Sequence, residues 1–192
     1  HDVEDLVDVE YVPLTNFVDS PPDAQLQPCN SYILEGCAKA LPEVQLLEKS
    51  VKEAGKIAKA KMSNPDVKQL IDSCNLNSGM LLAIIMYTFD VCLVSAKQLP
   101  RSCNFYFQLN KKLRLRSGEI LQLCSGYLYY LMTGLHRLKP FAAEFVYRGV
   151  DAKGAHRVRE EYYAGRITHW SGFSSTTPPE SVTEAVTFAK QS

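Results

Sequence analysis

The sequence has no excess of charge of either sign: 21 basic residues balance 21 acidic ones among 192. Without a net field there is no long-range pull toward nucleic acid or an anionic membrane, and neither is expected as a partner. Long hydrophobic runs are also missing. The longest, Met80 to Val94, falls short of the ~20 apolar residues a bilayer core requires; it also contains Asp90, and it reads as a buried helix. The start, His1-Asp2-Val3-Glu4-Asp5, offers neither the basic nor the apolar region of a signal peptide. Cys29, Cys37, Cys74, Cys92, Cys103 and Cys124 form no CxxC pair and no Cys/His spacing of the zinc type. His1, His136, His156 and His169 are scattered, so no metal is expected. An even cysteine count leaves disulfides open for a secreted chain. Cys92 and Cys124 sit in apolar helical stretches, however, which favours free thiols in a reducing, cytoplasmic compartment. GxGxxG, P-loop, HExxH and GxSxG patterns are all absent, which removes the commonest nucleotide, metalloprotease and hydrolase signatures.

What is present is an ordinary globular composition, 46% hydrophobic and 22% charged, on a chain long enough for one core with a helical lobe attached. The first thirty residues carry Pro13, Pro21, Pro22 and Pro28 and should be mostly extended or looped. Leu46 to Met62 places Leu47, Val51, Ala54 and Ala58 at helical spacing, with Lys49, Lys52, Lys56, Lys59 and Lys61 on the other side. That lysine row reads as a solvated face, with a partner or phosphate surface as the sharper alternative. Asn77 or Ser78 can cap a helix from about Gly79 through Ile84, Ile85, Tyr87 and Val91 to about Ser95. A shorter helix follows over Ser102 to Leu115. Ser117 with Glu119 opens another, with Ile120, Cys124, Tyr127, Leu128, Leu131 and Leu135 at three- and four-residue steps.

After Pro140 the character changes. Phe145, Tyr147 and their neighbours alternate with β-prone residues, and Gly149, Gly154, Gly165 and Gly172 punctuate the chain. Residues 143–149, Arg166 to Trp170 and Thr183 to Phe188 are the strand candidates. The expected architecture is α+β: residues 1–75 as an N-terminal extension with helices, 76–140 as a helical lobe, and 141–192 as a β-rich core.

One constellation carries chemistry: an arginine ending a strand, then a hydroxyl cluster 27 residues later. A guanidinium is permanently charged and matches phosphate oxygens with a rigid fork of donors. Gly149 beside Arg148 lets a ligand approach the backbone, so that its amide groups can pair with a flat carboxamide. Ser175, Thr176 and Thr177 offer hydroxyls to orient an acid or a ribose. Taken singly, the arginine is a surface charge and Ser175-Thr176-Thr177-Pro178-Pro179 a turn.

Together, Val146-Tyr147-Arg148-Gly149-Val150 and the run from Tyr163 and Gly165 through Ile167, Trp170 and Phe173 to Ser175-Thr176-Thr177 resemble the Arg and Ser-Thr-Ser motifs of the arginine-type mono-ADP-ribosyltransferases. Upstream segments around Ala83–Thr88, Phe105–Arg114 and Leu131–Leu138 resemble the helices leading to that family's first strand, so the likeness spans about residues 80 to 190. It implies a helical lobe followed by the first part of an ADP-ribosyltransferase-like β-sandwich, with NAD as the substrate. It further implies that Arg148 grips the NAD phosphates and Gly149 holds the nicotinamide carboxamide. Ser175 would act in catalysis by positioning a glutamate. Thr176 follows the pattern, and Thr177 keeps a hydroxyl where a second serine is usual. Asn110 and Arg114 resemble helix residues that reach the adenosine half. Tyr147 and Trp170 read as core aromatics.

The family's Glu-x-Glu pair is not found between Ser175 and Ser192; Glu180 and Glu184 are too close to Ser175 and read as first-turn acids of a helix. The pair is expected either beyond Ser192 or lost. The implied function is an NAD-dependent mono-ADP-ribosyltransferase, or NAD glycohydrolase, that cleaves the nicotinamide–ribose bond and passes ADP-ribose to a protein acceptor. The alternative is an inactive module of the same kind that binds NAD or a protein partner.

Overall fold

The computed structural model describes residues 12–115, 117–140, 142, 145–147, 163, 165, 172–173, 176–178 and 181. Two compact units divide the chain, His1–Lys139 and Pro140–Ser192. The first is helical: α1 (Cys29–Tyr32), α2 (Ala38–Ala40), α3 (Leu47–Ser63), α4 (Pro65–Ser73), α5 (Ser78–Thr88), α6 (Phe105–Arg114) and α7 (Gly118–Arg137). Short 3-10 turns occupy Leu14–Phe17, Val91–Leu93 and Arg101–Cys103, and a π-turn over Ile33–Cys37 joins α1 to α2.

Local chemistry accounts for most boundaries. Asn77 caps α5 by accepting a hydrogen bond from the Met80 amide at 2.9 Å, as the sequence suggested. α5 ends at Thr88, however, and does not continue to Ser95. The Thr88 hydroxyl donates back to the Ile85 carbonyl at 3.1 Å, and the Asp90 carboxylate accepts the Cys92 amide at 2.9 Å. This competition by short polar side chains ends the helix and starts a 3-10 turn. α4, which buries only Ile71, opens with Pro65 at its first position, and the Asn64 side chain accepts from the Asp66 and Val67 amides.

The core of this unit lies where α5 packs on α3 and α7. α3 precedes residue 75 in the chain, and α5 and α7 follow it. Ile33, Met80, Met86, Leu109, Leu128 and Leu131 are fully buried. Tyr127 is enclosed too; its hydroxyl donates to the Ala83 carbonyl of α5 at 3.0 Å, and its ring meets Phe105 edge-on at 4.9 Å. Since Ala83 is a helical residue, removing that hydroxyl should cost no more than an ordinary net hydrogen bond. Tyr127→Phe is therefore expected to lower unfolding free energy by about 1 kcal/mol in urea titration, with the m-value unchanged.

Segment 29–40 runs alongside α7, and its buried side chains Cys29, Ile33, Cys37 and Ala40 recur at three- and four-residue steps. Gly36 lies directly against the backbone of α7 at Leu123. All six cysteines are unpaired, and all but Cys92 are buried. Burial pushes the Cys29 thiol up to about 12. Burial, then contact with Cys124, keeps Cys37 protonated well above the ordinary thiol range.

The expected α+β sandwich is not what the structure holds. The described residues are mostly helical and contain no β-strand; the nearest feature is an isolated antiparallel bridge between Tyr147 and Thr177. Alternation within 143–149 predicts a strand with one covered face, and residues 145–147 of it are described. Phe145, Val146 and Tyr147 are instead 63%, 52% and 51% exposed, so neither parity of the alternation is buried. A strand that buries nothing gains only its ladder bonds, and one bridge supplies a single pair of them. Tyr147 is correspondingly not the core aromatic the sequence suggested. The candidate strands at 166–170 and 183–188, with Trp170, lie outside the described residues.

Candidate functional site

Two of the expected NAD contacts fall on α6 in the first unit. The sequence places Phe105, Leu109 and Leu113 on one side of this helix, and all three are buried. Asn110 is buried beside them, and its amide donates to the Tyr87 hydroxyl of α5 at 2.8 Å. One of its donors is thus committed to holding α5 against α6. Tyr87 continues the contact edge-on to Tyr106 at 6.4 Å, and Tyr106 in turn accepts from the Arg101 guanidinium at 3.0 Å. Arg114 sits in the last turn of α6, exposed, where a cation complements the helix C-terminus. Asn110 and Arg114 therefore lie one turn apart on one helix, with the first turned into the protein and the second in solvent.

The remaining expected residues belong to the second unit. Arg148, Gly149 and Ser175 lie outside the described residues. Their immediate neighbours do not. Tyr147 and Thr177 exchange two backbone hydrogen bonds, the Tyr147 amide to the Thr177 carbonyl at 2.8 Å and the Thr177 amide to the Tyr147 carbonyl at 2.7 Å. Residues 30 positions apart are thereby held as a narrow antiparallel pair. The pairing brings the segment of the arginine motif to the segment of the hydroxyl motif. Thr176 is exposed and Thr177 partly so. This contact had no signal in the sequence, because pairing across 30 residues leaves no local periodicity.

The bridge gives a direct test of how the two segments are joined. Thr177→Pro removes the Thr177 amide donor and so one of the two bonds, a net loss of about 1 kcal/mol. Amide exchange at Tyr147 should then run several-fold faster while exchange in α7 is unchanged. Equal protection of Tyr147 in both proteins would show that the bridge does not hold the segments together.

Among the described residues no group of histidine, cysteine, aspartate or glutamate is arranged to hold a metal ion. No single described helix is long and apolar enough to cross a membrane; α4 and α5 meet that test only as a pair bent by 110°. No family model, no curated protein and no solved structure matches the chain.

Proposed function

We propose that this chain is the NAD-gripping part of a mono-ADP-ribosyltransferase or NAD glycohydrolase, which cleaves the nicotinamide–ribose bond and transfers ADP-ribose to a protein acceptor. The observation that carries the reading is the Tyr147–Thr177 bridge, because it joins the two segments whose side chains suit a dinucleotide. In this reading the Arg148 guanidinium binds the pyrophosphate, and the Gly149 backbone pairs with the carboxamide. The Ser175 hydroxyl orients an acid toward the ribose, and Thr176 and Thr177 add hydroxyl contacts. Arg114 and Asn110 belong to the first unit, where Arg114 is an exposed cation at the end of α6 and Asn110 fixes α6 through Tyr87.

As nicotinamide leaves, positive charge develops at the anomeric carbon, and a fixed carboxylate there is the usual source of stabilisation. In this reading Arg148, Gly149 and Ser175 supply binding and orientation around that centre. The proposal also places the protein in a reducing, cytoplasmic setting, which suits six unpaired thiols.

Nicotinamide release and NAD binding by the intact gene product decide the matter. Arg148→Lys keeps the charge but loses the fork that grips two oxygens at once, and should weaken NAD binding about tenfold, the effect of one or two charge-assisted bonds. Equal binding and turnover by the two proteins would remove Arg148 from the site.

A further inference from the structure

A different part of the molecule, within the first unit, has the features of an interaction surface. α3 carries five lysines against two glutamates, a local excess in a chain with no net charge. Lys49, Lys52, Lys56 and Lys59 follow one another at steps of three and four, so they form a row on one face. All four are exposed, opposite the face that buries Val51, Ala54 and Ala58. Only Lys56 has an acidic partner among the described residues, Glu53 at 2.7 Å. The row is therefore a run of cations with little internal compensation.

At its N-terminal end the row meets an open apolar groove of about 410 Å³. Leu34, Leu41, Val44, Leu46 and Leu47 contribute the apolar wall, and Lys49 itself stands at the rim. Glu48 is the acid lining the groove. Leu34 is 38% exposed although it belongs to the helical segment that packs on α7. The backbone turns into α3 through Leu46 at φ 52, with no side chain capping the helix. Apolar groove and cationic row are thus continuous.

We propose that this surface binds an acidic protein segment carrying aliphatic anchors. The anchors occupy the groove between Leu34 and Leu47, and the flanking carboxylates lie along Lys49, Lys52, Lys56 and Lys59. Charge complementarity fixes the sign of the partner, and the concave apolar wall requires side chains that project into it. A membrane surface suits it less well. A helix lying on lipid presents an apolar face level with its lysines, whereas the apolar face of α3 is buried in the core. The inference does not depend on NAD.

The test uses the full chain without NAD and a fluorescein-labelled synthetic peptide of glutamates interspersed with leucines, followed by anisotropy. Binding is expected to weaken as salt rises. The triple variant Lys52→Glu, Lys56→Glu, Lys59→Glu should weaken it at least about tenfold, since each contact reverses from attraction to repulsion. Replacing the peptide leucines by serine should do the same at constant charge, and Leu34→Ser should reproduce that loss from the protein side. These positions are exposed, and circular dichroism of each variant checks that the helices persist. Unchanged affinity in the triple variant overturns the proposal, as does equal binding of a glutamine-for-glutamate peptide. Two further results also overturn it: capture by phosphatidylserine vesicles with no peptide binding, and self-association that the same variants abolish.

Discussion

Between pH 9 and pH 12 the folded chain is expected to lose about 4 kcal/mol of stability through Cys29 alone. The thiol titrates near its ordinary 9.0 when the chain is unfolded and is pushed up to about 12 by burial when folded. Above pH 9 the unfolded state releases this proton while the folded state keeps it. The unfolded state then binds fewer protons, and stability falls by about 1.4 kcal/mol for each pH unit until the folded thiol also ionises. Below pH 9 both states are protonated and the contribution is complete. Cys37 acts with the same sign, because burial and then its contact with Cys124 also hold it protonated. Tyr127, fully enclosed, joins from above pH 10, with burial again the leading cause. Against a typical total of 5–15 kcal/mol, losses of this sign bring the first unit toward unfolding as the pH rises above 9. Urea titrations at successive pH values should show the midpoint falling steeply from pH 9. Cys29→Ala should be less stable at pH 7 yet lose less on going to pH 11. A midpoint that is flat from pH 8 to 11 would mean that these thiols are not enclosed.

The long helices that bury a regular stripe were legible in the sequence, and α4, which buries none, was missed. α3 and α7 repeat apolar residues at three and four over several turns, and both form close to where that period places them. α4 buries only Ile71, so it left no stripe, and its real signal was the Asn64 cap followed by Pro65. Segment 29–40 did repeat Cys29, Ile33, Cys37 and Ala40, but only over three turns, and no helix was expected there after the proline-rich first thirty residues. A π-turn in its middle also shifts the period. The strand expected at 143–149 misled for the opposite reason. Alternating residue types satisfy the period of two, yet alternation records a strand only where a second layer covers one side, and at Phe145 to Tyr147 nothing does. For the site, residue chemistry named the candidates but could not report their commitments. The buried hydrogen bond from Asn110 to Tyr87 and the Tyr147–Thr177 bridge both join segments more than twenty residues apart.

Gly36→Ala is expected to be the most damaging single-methyl addition to the helical core, costing about 3 kcal/mol, the upper part of the range for overpacking. The reason lies in what the methyl would strike. A Cβ at Gly36 would overlap the carbonyl oxygen of Leu123, a main-chain atom inside α7. That oxygen cannot rotate away. It moves only if α7 bends or if the π-turn over Ile33–Cys37 lifts off, and lifting it would expose Ile33 and Cys37, both fully buried. Gly126→Ala is the informative comparison, because the added atom there would meet the Tyr32 ring, a side chain. Tyr32 is partly exposed; its hydroxyl donates to Asp23 and accepts from the Gln27 amide, so the ring can swing outward at the loss of those two bonds and its packing on Tyr130. Gly126→Ala should therefore cost nearer 1 kcal/mol, partly offset by alanine's better helix propensity in the middle of α7. Thermal unfolding of the pair separates the two accounts. A larger drop for Gly36→Ala places the main-chain contact of segment 29–40 with α7 at the centre of the fold; equal drops would mean that the π-turn gives way as easily as a side chain.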